Sequence, residues 1–334
     1  MDIAVIGCGD LGTQHAKAWA MREDARVVAV CDPDAERAGR LAETHGATAY
    51  AEWNEAIAHE GLFAVSVCTP AFLHAPISIA SAQLKRQVLC EKAMALNLDD
   101  ADAMIEAAES NGVKLVISHQ LRGEPRFVAV KRLINDGVLG SPLYIRFTDI
   151  REVRPKLAMH RRSMNGGPVH DMAGHFFDLA RWFTGAEPEQ VSALGHVFGR
   201  GKPRLSSIKE DDLGIDSAEI LTRMTDGHVL SAHINWGMPE EIPGFGWNEV
   251  ICGPKAMVRF DPDQNCLVVH EPGGERRIEL SESPVGPTVR IEDLVQAARN
   301  DTRPEVDGHA GRAALKLILG ALESVETGAT VALG

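Results

Sequence analysis

The nine residues Ala4–Val5–Ile6–Gly7–Cys8–Gly9–Asp10–Leu11–Gly12 constrain the fold of this chain more than any other stretch. They read as a short buried strand, a glycine turn and the first turn of a helix. Gly7 permits the tight turn, Gly9 lets a phosphate approach the backbone, and Gly12 lets the helix pack close to the strand. The helix, starting through Asp10 and Leu11, directs its unpaired amides and positive dipole end at the same point. A second strand, Arg26–Val30, leads to Asp32, twenty residues after Gly12. An acidic side chain there accepts hydrogen bonds from ribose hydroxyls. Gly7, Gly9, Asp10, Leu11, Gly12 and Asp32 are therefore expected to bind a dinucleotide.

The chain has 334 residues, more than one hydrophobic core usually supports, and two domains are expected, at 1–120 and 121–334. The first 120 residues alternate short apolar strands (Ile3–Ile6, Arg26–Val30, Phe63–Cys68, Gln87–Cys90, Lys114–Ser118) with helices (Leu11–Trp19, Ala35–His45, Ala75–Lys85, Asp99–Ser110). That alternation predicts a doubly wound α/β Rossmann domain with a parallel sheet covered on both faces. After a helix at Pro125–Asn135 the pattern changes. A strand at Leu143–Thr148, a helix from Val169 to Phe183, repeated strands from Gln190 to His270, and helices at Val289–Arg299 and His309–Thr327 predict an α+β domain with a large, mostly antiparallel sheet. A large sheet needs a cover on both faces, so a homodimer or homotetramer is expected.

A formal charge of −13, from 34 basic and 47 acidic residues, argues against nucleic acid or an anionic membrane as partner. No apolar run approaches a membrane span, and the first strand begins too near Met1 to leave room for a signal peptide. The six cysteines show no CxxC pairing, in keeping with a reducing, cytoplasmic location.

Three further constellations carry chemistry. Cys68–Thr69–Pro70, with His74, follows the third of these strands. Thr69, Pro70 and His74 there can line a cofactor, although a strand-to-helix turn with a solvated histidine has the same spacing. Glu91–Lys92 directly follows the strand Gln87–Cys90. Its lysine suits proton transfer or polarisation of a hydroxyl, and a surface ion pair gives the same pattern. In Asn165–Gly166–Gly167–Pro168–Val169–His170–Asp171–Met172–Ala173–Gly174–His175, the glycines and Pro168 mark the approach to a helix. Asp171 and His175 are four apart and share one face of it. An Asp-oriented imidazole accepts protons near neutrality, although an ion pair in the first helical turn has the same signature. No further ligand cluster completes a metal shell around His170, Asp171 and His175, so no metal is expected.

GxGxxG at Gly7–Gly12, a TPxxxH-like turn at Thr69–His74, Glu91–Lys92 in place of EKP, and GGxxxDxxxHxxDxxRW from Gly166 to Trp182 occur in one order. Together they resemble the Gfo/Idh/MocA oxidoreductases along essentially the whole chain, and Gly246–Gly253 is similar to the family's C-terminal strand. The resemblance implies NAD(P)-dependent hydride transfer to or from a carbinol of a sugar, polyol or sugar acid. It implies Lys92, Asp171 and His175 as the catalytic set, with Lys92 and His175 handling the proton and Glu91 beside the cofactor. It also implies Arg122 near substrate. An NAD-dependent glycosidase, a recycling oxidoreductase and a non-enzymatic NAD-binding sensor are the alternative readings; retention of Lys92, Asp171 and His175 together argues against the sensor.

Two departures from the family pattern stand out. Ala93 replaces the usual proline, so a trans Lys92–Ala93 bond is expected. Phe176 and Phe177 replace polar residues of some inositol-type members, which weakens inositol itself as the substrate. Asp32 favours NAD over NADP, because a carboxylate repels a 2′-phosphate. The basic run Arg146–Arg162, with His160 near its end, reads either as a solvated or subunit-contact segment or as a binding surface for an acidic sugar. With the resemblance, the expected substrate contacts are Lys92, Arg122, His160, Asp171 and His175.

Overall fold

The computed structural model describes residues 1–242, 244–282 and 286–334. The chain divides into two units, Met1–Gln120 with Pro284–Leu315, and Leu121–Ser283 with Lys316–Gly334.

In the first unit, strands β1 (Asp2–Ile6), β2 (Arg26–Cys31), β3 (Thr48–Tyr50), β4 (Leu62–Val67), β5 (Gln87–Cys90) and β6 (Leu115–Ile117) alternate with helices α1 (Asp10–Ala20), α2 (Ala35–His45), α3 (Trp53–Ile57), α4 (His74–Gln83) and α5 (Leu98–Asn111). The strands form one parallel sheet in the order β3-β2-β1-β4-β5-β6. The order reverses between β1 and β4, so the carboxyl ends of these two strands flank the crevice where such sheets bind ligands. The strands are apolar on both faces because both faces are covered. Ile3, Val5, Val30 and Leu89 are buried with Trp19, Leu41, Ile291 and Leu294. Local chemistry sets the helix ends. Asp34 caps α2 by accepting the amides of Glu36 and Arg37, and Gly112 in the left-handed region ends α5.

The second unit begins with α6 (Pro125–Asn135), β7 (Tyr144–Glu152), the one-turn helices α7 (Leu157–His160) and α8 (Arg162–Asn165), and α9 (Pro168–Thr184). Strands β8 (Pro188–His196), β9 (Ser217–Met224), β10 (Val229–Met238), β11 (Gly246–Cys252), β12 (Met257–Asp261), β13 (Cys266–Glu271) and β14 (Gly274–Glu279) follow. Helix α10 (Thr288–Asn300) belongs to the first unit, α11 (Gly308–Thr327) has residues in both, and β15 (Val331–Ala332) lies in the second. The nine-stranded sheet runs β14-β13-β12-β11-β7-β10-β9-β8-β15, antiparallel throughout except for the parallel pair β7 and β10. Alternation decides its faces: Ile145 and Phe147 of β7 and Leu230, Ala232 and Ile234 of β10 are buried, whereas Tyr144 and Arg146 face outward. The molecule thus pairs an α/β Rossmann unit with an α+β unit built on a large, mostly antiparallel sheet. Among the described residues no helix is long and apolar enough to cross a membrane.

Helix α9 starts where two glycines allow close backbone contact. Gly167 has φ +95°, and a Cβ on it would lie 2.6 Å from the Cα of Gly214. Pro168 occupies the first helical position, and the Val169 amide donates to the Ile215 carbonyl at 3.0 Å. The start of the helix is thereby pinned to the segment before β9.

Candidate active-site residues

The glycine turn is built as its spacing demands. Gly7 has φ +96°, and a Cβ there would lie 2.6 Å from the Cys68 carbonyl oxygen. A Cβ on Gly12 would lie 1.7 Å from the Gly7 carbonyl oxygen. Gly9 differs: its φ is an ordinary −74°, and a Cβ on it would meet nothing within 4 Å. Nothing in the protein itself requires glycine at this point. The open space lies at the start of α1, which no side chain caps. An open approach to backbone at an uncapped helix start fits a pyrophosphate. Asp32 is buried at the end of β2. One of its carboxylate oxygens accepts the Cys8 amide at 2.8 Å and the other accepts the Asp34 amide at 2.9 Å. Arg37, in the first turn of α2, pairs with Asp34 at 3.1 Å.

The loops after β4 and β5 are tied together by His74. Its side chain is buried at the start of α4, with Nε2 at 2.9 Å from the Thr69 carbonyl and Nδ1 at 2.9 Å from the Ala93 carbonyl. Burial pushes its pKa down, while the two carbonyls pull the other way. His74 is therefore a brace between two loops rather than a solvated histidine. The Thr69 hydroxyl is buried without a hydrogen-bond partner, as expected of a group that meets a ligand. Glu91 is buried too, and its Oε1 lies 2.9 Å from Nε2 of His15 on α1. Burial raises its pKa, but the bond from His15 and the charges of His15 and Lys92 outweigh that, and the net shift is downward. The Glu91 side chain thus joins α1 to the loop that carries Lys92 and is no surface ion pair. The Lys92–Ala93 bond is cis, which corrects the expectation of trans. Buried surroundings, with the Ala93 carbonyl held by His74, set the backbone there in place of local preference.

In the second unit, Asp171 is buried in the first turn of α9, and Asn165 Nδ2 donates to its Oδ1 at 3.2 Å. His175 lies one turn on and is half-buried, with its ring 6.4 Å from that of Trp247. Trp247 belongs to an aromatic cluster, with ring centroids 4.7 Å from Phe176 and 5.7 Å from both Phe127 and Phe147. Phe176 and Phe177 are fully buried, and Phe176 packs against Trp247. Arg122 is buried against Asp178 in a two-pronged pair, Nε to Oδ2 at 2.8 Å and Nη2 to Oδ1 at 2.6 Å. His160 is buried, and its Nε2 lies 3.0 Å from the Arg154 carbonyl. Burial pushes its pKa down, against that carbonyl.

Several residues escaped the sequence reading. Trp247 and Glu249 alternate with Ile251 on one face of β11, and that alternation was their signal. Glu249 is buried with Arg126 Nη1 at 3.4 Å. Burial pushes its carboxyl up to about 7, against the attraction of Arg126. Asp149, on β7, is fully buried and accepts the Trp236 indole N–H at 2.6 Å and Arg151 Nε at 2.8 Å.

Comparison with known proteins adds to this geometry. Residues 1–119 match an oxidoreductase family with an NAD-binding Rossmann fold, and residues 127–259 match the GFO/IDH/MocA C-terminal domain. The chain is 30% identical over 337 residues to a myo-inositol 2-dehydrogenase of Thermotoga maritima, covering 98% of this chain and 96% of that protein. It is 27% identical over 349 residues to a D-apiose dehydrogenase of Paraburkholderia graminis, covering 99% and 89%. Its fold matches the crystal structure of an aldose-aldose oxidoreductase from Caulobacter crescentus with a TM-score of 0.85, 23% identity and 99% coverage of each chain.

Proposed function

The chain belongs to the Gfo/Idh/MocA family of oxidoreductases, and on that premise we propose that it transfers a hydride between NAD and a ring or chain carbinol of a sugar, polyol or sugar acid, with Lys92 and His175 handling the proton. Bound NAD supplies the hydride acceptor. Gly9, the start of α1 and the Asp32 carboxylate hold the cofactor, and the Thr69 hydroxyl has the free bonding capacity to meet it. His175 accepts the proton of the reacting hydroxyl, as a neutral imidazole can. Asp171 orients that imidazole, and the Lys92 ammonium fixes and polarises the hydroxyl oxygen.

The observation that carries the reading lies on α9. Asp171, clamped by Asn165, and His175, half-buried beside Trp247, stand one helical turn apart. An acid and an imidazole so placed are more than core packing requires. The test is a screen of sugars, inositols and sugar acids with NAD at alkaline pH, read as absorbance of the reduced nicotinamide. Turnover with at least one carbinol is expected. In Lys92→Ala and His175→Ala turnover falls about a hundredfold or more while NAD still binds. Undiminished turnover in both variants would remove the assignment.

A homodimer or homotetramer is proposed alongside. Tyr144, Leu194 and Leu221 lie on the outer face of the nine-stranded sheet and are exposed by 45%, 74% and 51%. Such a face suits a second copy. Sedimentation of the purified protein, and of Leu221→Lys, reads it directly.

A further inference from the structure

The arginines of the basic run Arg146–Arg162 differ in their surroundings. Arg146 faces outward on β7. Arg161 pairs with Asp212 and Arg162 with Glu326, both at 3.5 Å. Arg151 donates to both oxygens of the buried Asp149. Arg154 is different. Its guanidinium carbon lies 5.8 Å from the ring centroid of Trp236, and among the described residues no carboxylate lies within ion-pair distance of it. The Arg151 guanidinium lies 5.6 Å from the same ring.

Two guanidiniums therefore flank one indole, and the acid beside them, Asp149, is already taken by Arg151 and by the Trp236 N–H. Among the described residues Arg154 makes no such pair. Trp236 itself is almost fully buried and cannot turn away, so the ring is a fixed platform for both cations. The neighbouring His160 adds a second observation. Its Nε2 is occupied by the Arg154 carbonyl, and its Nδ1 is buried with no hydrogen-bond partner. The place in the unit is also suggestive. Asp149 pairs in register with Trp247 of β11, and Trp247 is the ring beside His175.

We infer that Arg154, stacked on Trp236 beside Arg151, receives the carboxylate of the substrate, which makes the substrate a sugar acid with a single carboxylate. This rests on the dehydrogenase reading above and narrows it. A guanidinium presents a flat fork that matches a carboxylate with two hydrogen bonds. A carboxylate monoanion matches the single guanidinium of Arg154 in charge and in shape.

The test compares matched pairs with NAD: glucuronate with glucose, galacturonate with galactose, gluconate with sorbitol. In the wild type, kcat/KM is expected to be at least tenfold higher for the acid in a pair that is turned over. In Arg154→Gln the acid-to-neutral ratio falls at least tenfold, mainly through KM, and Arg154→Lys keeps part of it. Equal use of both members, or a ratio unmoved by Arg154→Gln, overturns the inference and leaves the dehydrogenase reading standing. Lack of NAD reduction with every compound overturns the dehydrogenase reading. A thermal unfolding series with glucuronate, against glucose and chloride, reads the site without turnover. Stabilisation specific to glucuronate and lost in Arg154→Gln is expected; no such stabilisation, or one that survives the substitution, overturns the inference.

Discussion

The Asp32 carboxylate accepts the backbone N–H of Cys8 at 2.8 Å, so the acid that closes β2 is tied to the glycine turn that follows β1. Its second oxygen accepts the Asp34 amide, which sets the side chain between two strand ends before any ligand arrives. A carboxylate held there meets ribose hydroxyls without reorganising and repels a 2′-phosphate. The neighbouring Arg37 pairs with Asp34, which leaves that charge balanced within α2. Asp32→Ala is expected to narrow the NAD-over-NADP preference at least tenfold, read as the ratio of kcat/KM for the two cofactors. If that ratio stays where it is in the wild type, ribose recognition lies on another residue.

The glycines of the turn separate by what each is for. A Cβ on Gly12 would collide with the Gly7 carbonyl, so Gly12→Ala forces backbone apart and is expected to destabilise the first unit by several kcal/mol, on the order of other overpacked sites. A Cβ on Gly9 meets only open space at an ordinary φ. Gly9→Ala is therefore expected to leave the unfolding midpoint within about 0.5 kcal/mol of wild type, as surface changes do. NAD affinity should nonetheless fall at least tenfold, because the methyl group occupies the approach of the pyrophosphate. Urea unfolding and NAD titration of the two variants check both halves. Unweakened NAD binding by Gly9→Ala would place the pyrophosphate elsewhere.

The two-pronged pair of Arg122 and Asp178 is almost wholly buried. Removing one partner of such a pair strands a charge away from water, which typically costs about 3–5 kcal/mol. Arg122→Ala is expected to lose that much in urea unfolding, whereas Arg122→Met with Asp178→Leu regains most of it. Arg122 was expected near substrate, and the same variants report on that. A double variant that refolds but has a raised KM assigns Arg122 a substrate role as well. A loss below about 1 kcal/mol in Arg122→Ala would show that the pair is solvated in solution.

The strand-and-helix alternation of the first unit was legible because each element carries its own signal. β1 and β2 are apolar runs, α2 begins at a capping Asp34, and Asn111–Gly112 stops α5. Thr48–Tyr50 and Trp53–Ile57 went unread because three- and five-residue elements show no period. The candidate site was legible where its residues lie four apart on one helix, as Asp171 and His175 do. It was not legible where partners are far apart in sequence. His15 meets Glu91 across 76 residues, Arg122 meets Asp178 across 56, and Trp236 meets Asp149 across 87. The cis bond at Lys92–Ala93 has the same origin, since its surroundings come from another loop through His74.

Glu249 gives a pH dependence with a definite sign. The carboxyl sits on the buried face of β11; Arg126 reaches one oxygen at 3.4 Å, and the other oxygen is buried without a partner. Burial raises its pKa from 4.5 to about 7 in the folded protein, against the pull of Arg126. The native state therefore holds this proton more tightly than the unfolded chain does. The stability that this contributes is complete below the unfolded value near 4.5, fades as pH rises, and is gone above about 7. Glu249→Gln keeps a neutral side chain at every pH and escapes that loss. Relative to wild type, the variant should gain roughly 2 kcal/mol of stability between pH 5 and pH 8, the size expected from a shift of this magnitude. Urea unfolding of both proteins at the two pH values measures it. A difference that does not change with pH means that water or Arg126 keeps Glu249 ionised in the fold, and the buried carboxyl then contributes nothing to the pH profile.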